Sequence, residues 1–208
     1  DRPAFSSQQR KASRDSASLS TRRCLQVAYR SGDAGEGGSG EQQMKVGPGA
    51  QAPSFAIKTV EGKEVSNADL PRHAATVLNF VAVNCRFSKK EIPMVEGIRA
   101  EYEPRSVRFV NVVETMRERF ETDYVVNVLS SLGSHLELVH DVDNEVGKNF
   151  ADRFPTLVVI DRNGTVNHVT KGLHVDLERT VREALDSLVG PAQSGVQAQT
   201  KADPSGGE

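Results

Sequence analysis

Two apolar periods alternate along residues 55–190, one of two residues and one near 3.6, and neither continues into the chain ends. Phe55–Val60 and Lys63–Ser66 flank Glu61-Gly62, which predicts two short strands joined by a two-residue turn. Ala75–Val83 is an almost unbroken apolar, β-branched run, too short for a typical helix, and reads as a buried strand. Lys89–Tyr102 then places Ile92, Val95, Ile98 and Tyr102 at helical spacing, with Pro93 expected to kink its first turns. Val107–Val113 predicts a second buried strand. Arg117–Leu132 carries Phe120, Tyr124, Val128 and Leu132 on one helical stripe, and Gly133 stops it. Leu136–Val139 predicts a short strand and Asn144–Asp152 a short helix. Leu157–Asp161 and Val166–Val169 surround Asn163-Gly164, a strong hairpin signal. A last helix begins at Asp176 as N-cap, shows Leu177, Val181, Ala184, Leu185 and Leu188 on one face, and ends at Gly190-Pro191.

Strands alternating with helices, then a hairpin and a closing helix, predict an α/β sandwich with a mixed sheet and right-handed crossovers between its parallel strands. Residues 1–45 and 191–208 are too polar to offset the entropy of ordering them. The expected organisation is a disordered N-terminal linker, one domain over 46–190, and a disordered tail.

Composition narrows the class further. A chain of 208 residues buries enough surface to fold without staples, and its two cysteines, Cys24 and Cys85, are too few for a disulfide scaffold. No apolar run reaches the ~18–20 residues of a membrane span. The 26 Lys+Arg against 28 Asp+Glu give a net charge of −2, which argues against a nucleic-acid footprint. The first residue is Asp rather than Met, as expected of a processed or excised chain, and the Arg/Ser-rich start also fits the remnant of an organellar transit segment.

The chemistry centres on Cys85, at the junction where a buried strand gives way to a helix. That position is expected to expose it at the sheet's C-terminal edge, where the helix N–H groups favour a thiolate, the nucleophilic form. On position alone, a buried cysteine acting as a small hydrophobe remains an equal reading. A second element is Arg153-Phe154-Pro155-Thr156, a proline at the entrance of a strand.

The stretch Val77–Pro93 (VLNFVAVNCRFSKKEIP) resembles the active-site region of TlpA/ResA-like thioredoxin-fold proteins, redoxins of the AhpC/TSA superfamily. Ala52-Pro53-Ser54-Phe55 and Gly62–Ser66 resemble that family's N-terminal hairpin, and Phe154–Gly164 its cis-proline strand and hairpin. The resemblance covers residues 46–189. It implies a thioredoxin-like sandwich with an N-terminal β-hairpin extension, a cis Phe154–Pro155 bond opposite Cys85, and a backbone there that pairs with an extended substrate. Phe154, Pro155 and Thr156, with Arg86 and Phe87 beside the cysteine, are the expected substrate-binding residues.

The departures from the family pattern matter as much. Its usual W-C-x-x-C becomes Asn84-Cys85-Arg86-Phe87-Ser88, so the resolving cysteine is replaced by an alcohol that cannot complete a disulfide. Ser88 can still donate a hydrogen bond to a Cys85 thiolate. Asn79, six residues before Cys85, and Glu91, six after it, match polar positions of the family, and Glu91 is implied to assist thiol proton transfer. The catalytic candidates are therefore Cys85, Ser88 and Glu91. Lys89 and Lys90 form either a local positive field or a solvated face. Peroxiredoxins need a Thr where this chain has Ala82 and a Pro where it has Leu78. His73, His135, His140, His168 and His174 are scattered without metal-ligand spacing, so no metal or other cofactor is expected. Cys24 is a distant resolving cysteine, an attachment point, or idle.

The reading is a thiol–disulfide oxidoreductase working through one active-site cysteine, with protein or small-molecule thiols and disulfides as partners. Ser88 and Asn84 leave open a peptide-binding module that has lost redox chemistry, and more weakly a peroxiredoxin-like antioxidant. The resemblance implies a bacterial periplasmic or envelope location with a membrane tether outside this chain.

Overall fold

The computed structural model describes residues 46–115 and 120–190. The described chain opens with a hairpin, β1 (Ala56–Lys58) and β2 (Glu64–Ser66), which forms a two-stranded antiparallel sheet of its own. β3 (Ala75–Val81) is the centre of a second, five-stranded sheet. β4 (Val107–Glu114) runs parallel to it, and β5 (Glu137–Asp141) parallel to β4, on one side. On the other side β6 (Thr156–Asp161) is antiparallel to β3, and β7 (Val166–Lys171) is antiparallel to β6. The helices are α1 (Arg86–Tyr102), α2 (Thr122–Ser131), the single turn α3 (Gly147–Phe150) and α4 (Leu177–Val189). Two short 3₁₀ segments, Asn67–Arg72 and Glu103–Arg105, lead into β3 and β4.

All seven residues of β3 are buried, because it has a neighbour on each edge and a layer on each face. That is why its sequence reads as a continuous apolar run rather than an alternating one. Ala75, Val77, Phe109, Leu157 and Val159 on one face pack against Val95, Ile98 and Tyr102 of α1 and Leu177, Val181 and Leu185 of α4. Nearer the strands' C-terminal ends, Val81 and Val113 meet Ile92 of α1 and Val125 and Leu129 of α2. The opposite face sends Leu78, Phe80, Val110 and Ile160 against Phe55, Val65 and Phe150. Phe80 stacks on Phe150 at 5.3 Å, and Phe55 meets Phe150 edge-on at 5.7 Å.

Several boundaries differ from those expected. β3 ends at Val81 rather than Val83, and α1 starts at Arg86, three residues before Lys89, with Cys85 as its N-cap. Pro93 lies within α1 on the exposed side, and the helix continues through it. α2 starts only at Thr122, because Glu121 is extended (φ −67°, ψ 146°); positions 117–119 lie outside the described residues. It closes as foreseen at Gly133, with Ser134 N–H on Leu129 O (3.1 Å) and Gly133 N–H on Ser130 O (2.9 Å). The helix expected from Asn144 is reduced to α3. Asn144 has φ +53°, and the Asp141 carboxylate takes the N–H groups of Glu145, Val146 and Gly147 at 2.8, 3.1 and 2.8 Å. β7 runs on past Val169 to Lys171. Asp176 is the N-cap of α4, but its carboxylate makes no capping bond and lies 3.6 Å from Arg179 instead.

Both hairpins use one longer turn in place of the two-residue turns expected. Gly62 N–H donates to Thr59 O and Thr59 N–H to Lys63 O, each at 2.8 Å; Gly164 N–H donates to Asp161 O at 3.1 Å and Asp161 N–H to Thr165 O at 2.9 Å. Gly62 (φ +83°) and Gly164 (φ +80°) supply the left-handed residue that closes a three-residue loop. Asn163 is not left-handed, because its N–H and that of Thr165 both bind Asp161 Oδ1 at 2.8 Å.

The segment before β1 finishes the sheet. Gly49 N–H on Val166 O, Val166 N–H on Ala50 O and Ala52 N–H on Gly164 O, each 2.8 Å, cover the first part of the β7 edge. At the far side, Val60 N–H reaches Leu138 O of β5 at 2.8 Å. Open sheet edges are thereby shortened on both sides.

Candidate active site

Register decides where the site lies. Phe80 pairs with Thr156, so the residues before Thr156 sit beyond the C-terminal end of β3, where the chain turns into α1. That turn is fastened by Cys85 N–H on Ala82 O (3.0 Å) and Ala82 N–H on Ser88 Oγ (3.2 Å). Cys85 is extended (φ −84°, ψ 118°), and its carbonyl receives the first helical bond from Lys89 N–H at 3.1 Å. Its Sγ lies 3.8 Å from Phe154 O, to which the thiol donates. The Phe154–Pro155 peptide bond is cis. Thr156 Oγ1 donates to Arg153 O at 2.8 Å, and Gly172 N–H at the end of β7 donates to Pro155 O at 2.7 Å. The sulfur thus faces the proline loop across the start of α1.

Cys85 was expected to be presented at the sheet edge, whereas it is only 2% exposed. The side chain turns inward to the Phe154 carbonyl, with Phe87 and Phe154 half-buried beside it. Arg86 is exposed, its guanidinium 4.8 Å over the Phe87 ring. Pro155 and Thr156 are buried. Ser88 is fully buried, and its oxygen is the acceptor of the Ala82 N–H.

Glu91 sits farther along the inner face of α1 and is 1% exposed. Burial pushes its carboxyl up to about 8, and its Oε1 has no hydrogen-bond partner. Across the layer gap, Asn79 Nδ2 donates to Asn111 Oδ1 (2.9 Å), and Asn111 Nδ2 donates to Ser134 Oγ (2.9 Å). Asn79 Oδ1 is the other buried side-chain atom there without a partner. Asn79 lies on β3 between Val77, in the cluster of Val95, and Val81, in the cluster of Ile92. Glu91 lies with Ile92 and Val95 among the buried residues of α1. The Asn111–Ser134 link was not foreseen, although a lone Asn in the apolar run of β4 at the register of Asn79 is its signal.

The structure brings Cys85, Ser88, Arg86, Phe87 and Phe154–Thr156 together and sets Glu91 deeper. The histidines are dispersed. His140 has Thr115 Oγ1 at 3.1 Å and Thr122 Oγ1 at 2.8 Å on its two ring nitrogens, and burial lowers its pKa. Among the described residues no group of His, Cys, Asp and Glu is arranged to hold a metal ion, and no helix is long and apolar enough to cross a membrane. Cys24 lies outside the described residues.

Comparison with known proteins gives the family and the fold. The chain is 26% identical over 136 residues to the thiol-disulfide oxidoreductase ResA of Bacillus cereus, covering 64% of this chain and 74% of that one. It superposes on a putative thiol:disulfide interchange protein DsbE from Chlorobium tepidum with a TM-score of 0.61 at 20% identity, covering 70% and 99% of the two chains. A secreted Mycobacterium tuberculosis disulfide oxidoreductase, homologous to E. coli DsbE, gives a TM-score of 0.51 at 19% identity, covering 65% and 96%. At those identities the two structures share the fold. With the AhpC/TSA family model matching residues 48–169, from the edge-covering segment into β7, the chain belongs to the AhpC/TSA family and has a thioredoxin-like fold.

Proposed function

We propose that this domain carries out thiol–disulfide exchange through Cys85 as its one active-site sulfur, on protein or small-molecule thiols and disulfides. The observation that carries the reading is a cysteine capping α1 with its sulfur 3.8 Å from the carbonyl that precedes Pro155. Its resemblance to a protein named thiol-disulfide oxidoreductase supports an oxidoreductase role. In the first step the Cys85 thiolate attacks a disulfide. One sulfur–sulfur bond forms, another breaks, and the departing sulfur leaves as a thiolate that takes a proton from solvent. Because Ser88 cannot resolve the mixed disulfide, an external thiol does so, and Cys85 is the leaving group. Glu91, held protonated near neutrality by burial, supplies a proton toward that sulfur, and Ser88 donates a hydrogen bond to it. The backbone of Phe154–Thr156 aligns an extended substrate, with Arg86 and Phe87 flanking it.

An extracytoplasmic site of action is part of this proposal, supported by the secreted mycobacterial relative of the same fold. The test is mixed-disulfide trapping on the full chain with a disulfide-bonded peptide, followed by mass mapping. The expected result is an adduct at Cys85 that Cys85→Ser abolishes. A further expectation is that Glu91→Gln slows release by added thiol more than it slows adduct formation. Extended peptides that bind without any Cys85 adduct would overturn the reading in favour of a binding module.

A further inference from the structure

Most described Arg and Lys side chains have a carboxylate within ion-pair distance, as in Arg99 with Glu96, Arg108 with Glu137 and Arg182 with Glu101. The exceptions are Lys58, Lys63, Arg86, Lys89, Lys90 and Arg162. Three of these occupy exposed positions at the start of α1, beginning one residue after Cys85, and no acidic residue stands in that helix's first turn. Cations there oppose the partial positive charge of the free helix N–H groups, so the placement works against the helix itself. General basicity is not the cause, since residues 51–190 hold 17 basic against 21 acidic side chains. On the other rim of the site the charges are compensated: Asp152 lies 3.3 Å from Arg153 and 3.5 Å from Lys171. Among the described residues near the site, the basic side chains without a carboxylate partner therefore stand on the α1 side of the sulfur. Local choices that oppose the fold without an internal partner are expected at functional surfaces.

We propose that the Cys85 site selects disulfides carried by acidic polypeptide segments, whose carboxylates are met by Arg86, Lys89 and Lys90. This rests on the single-cysteine exchange reading. Helix positions four apart are separated by about 5–6 Å, close to the roughly 6.6 Å between alternate residues of an extended strand. Carboxylates on alternate residues beside the substrate cysteine thus match the spacing of Arg86 and Lys90, while the backbone lies along Phe154–Thr156. The reaction needs no outside oxidant. The Cys85 thiolate forms one sulfur–sulfur bond to the peptide as the peptide's former partner sulfur leaves as thiolate.

The experiment uses the full chain carrying Cys24→Ser and three synthetic pentapeptides. Each has a central cysteine activated as its 2-pyridyl disulfide, flanked at alternate positions by Glu, Gln or Lys, and pyridine-2-thione release gives the rate. A Cys85→Ser sample sets the background. The Glu peptide is expected to react about tenfold faster than the Gln peptide at low salt, and the Lys peptide slowest. The three rates should converge near about 0.5 M salt. Lys89→Gln/Lys90→Gln should remove most of the Glu advantage, whereas Lys58→Gln/Lys63→Gln should keep it. Equal rates for the three peptides, or equal losses in the two double variants, would overturn the proposal while leaving exchange at Cys85 intact. The 2-pyridyl disulfide of glutathione reacting as fast as the Glu peptide would overturn the polypeptide assignment. No thione release above the Cys85→Ser background with any peptide would overturn both the proposal and the exchange reading.

Discussion

Glu91 carries the clearest pH consequence at the scale of single residues. Burial raises its carboxyl to about 8 from an ordinary 4.5. Between those values the folded chain holds a proton that the unfolded chain has released, so folding stability falls as pH rises through that window and is flat in this contribution below it. The expected loss is on the order of 2–5 kcal/mol by pH 8. Glu91→Gln should lack that loss, equal the wild type near pH 4 and exceed it at pH 8. Urea unfolding at the two pH values checks this, and parallel pH profiles for the two proteins would refute it. At this scale Cys85, Asn79 and Glu91 stand out in the sequence because their spacing resembles that of a known family. The inward turn of the Cys85 sulfur and the use of Ser88 as acceptor for Ala82 N–H do not, since both depend on how the turn after β3 closes.

Among the elements, the two hairpins make a controlled pair. Gly62 and Gly164 occupy the same left-handed position in the same turn, yet a Cβ on Gly62 meets nothing within 4 Å, whereas one on Gly164 comes 3.3 Å from Gln51 Oε1. Gly62→Ala should cost about 1 kcal/mol from backbone conformation alone. Gly164→Ala should cost more, because its added methyl also presses on the segment bonded to Gly164 O. Chemical denaturation of the two variants ranks them, and a neutral Gly164→Ala would contradict the turn assignment. Element types were readable from period and from glycine placement. Lengths were not: the α3 stretch has a helical composition, but Asn144 in the left-handed region and the Asp141 carboxylate claim the backbone that a longer helix would use.

For the whole molecule, a mixed sheet with crossovers follows from the alternation of strands and helices that the sequence makes plain, whereas the edge coverage by residues 49–52 does not, because those residues show no strand pattern. Their three backbone bonds, two to Val166 of β7 and one to Gly164 in the turn before it, give a sharp truncation test. A chain starting at residue 46 keeps all three bonds and serves as the reference. One starting at residue 53 should lose several degrees, a shift of the size that about 1–2 kcal/mol produces in a domain of this length. It should also associate through the uncovered edge. Thermal unfolding and light scattering on both chains decide the matter, and equal melting of the two would show that the strip contributes nothing.

The same strip fixes a polarity. Gly49–Ala52 joins the molecule beside Gly164 and Val166, at the end of the sheet where Ala75 faces Asp161, while Cys85 follows the end where Phe80 faces Thr156. Gly49–Ala52 and Cys85 thus stand at opposite ends of the central sheet, and a pull applied at residue 49 would load those few peptide contacts before it reached the sulfur.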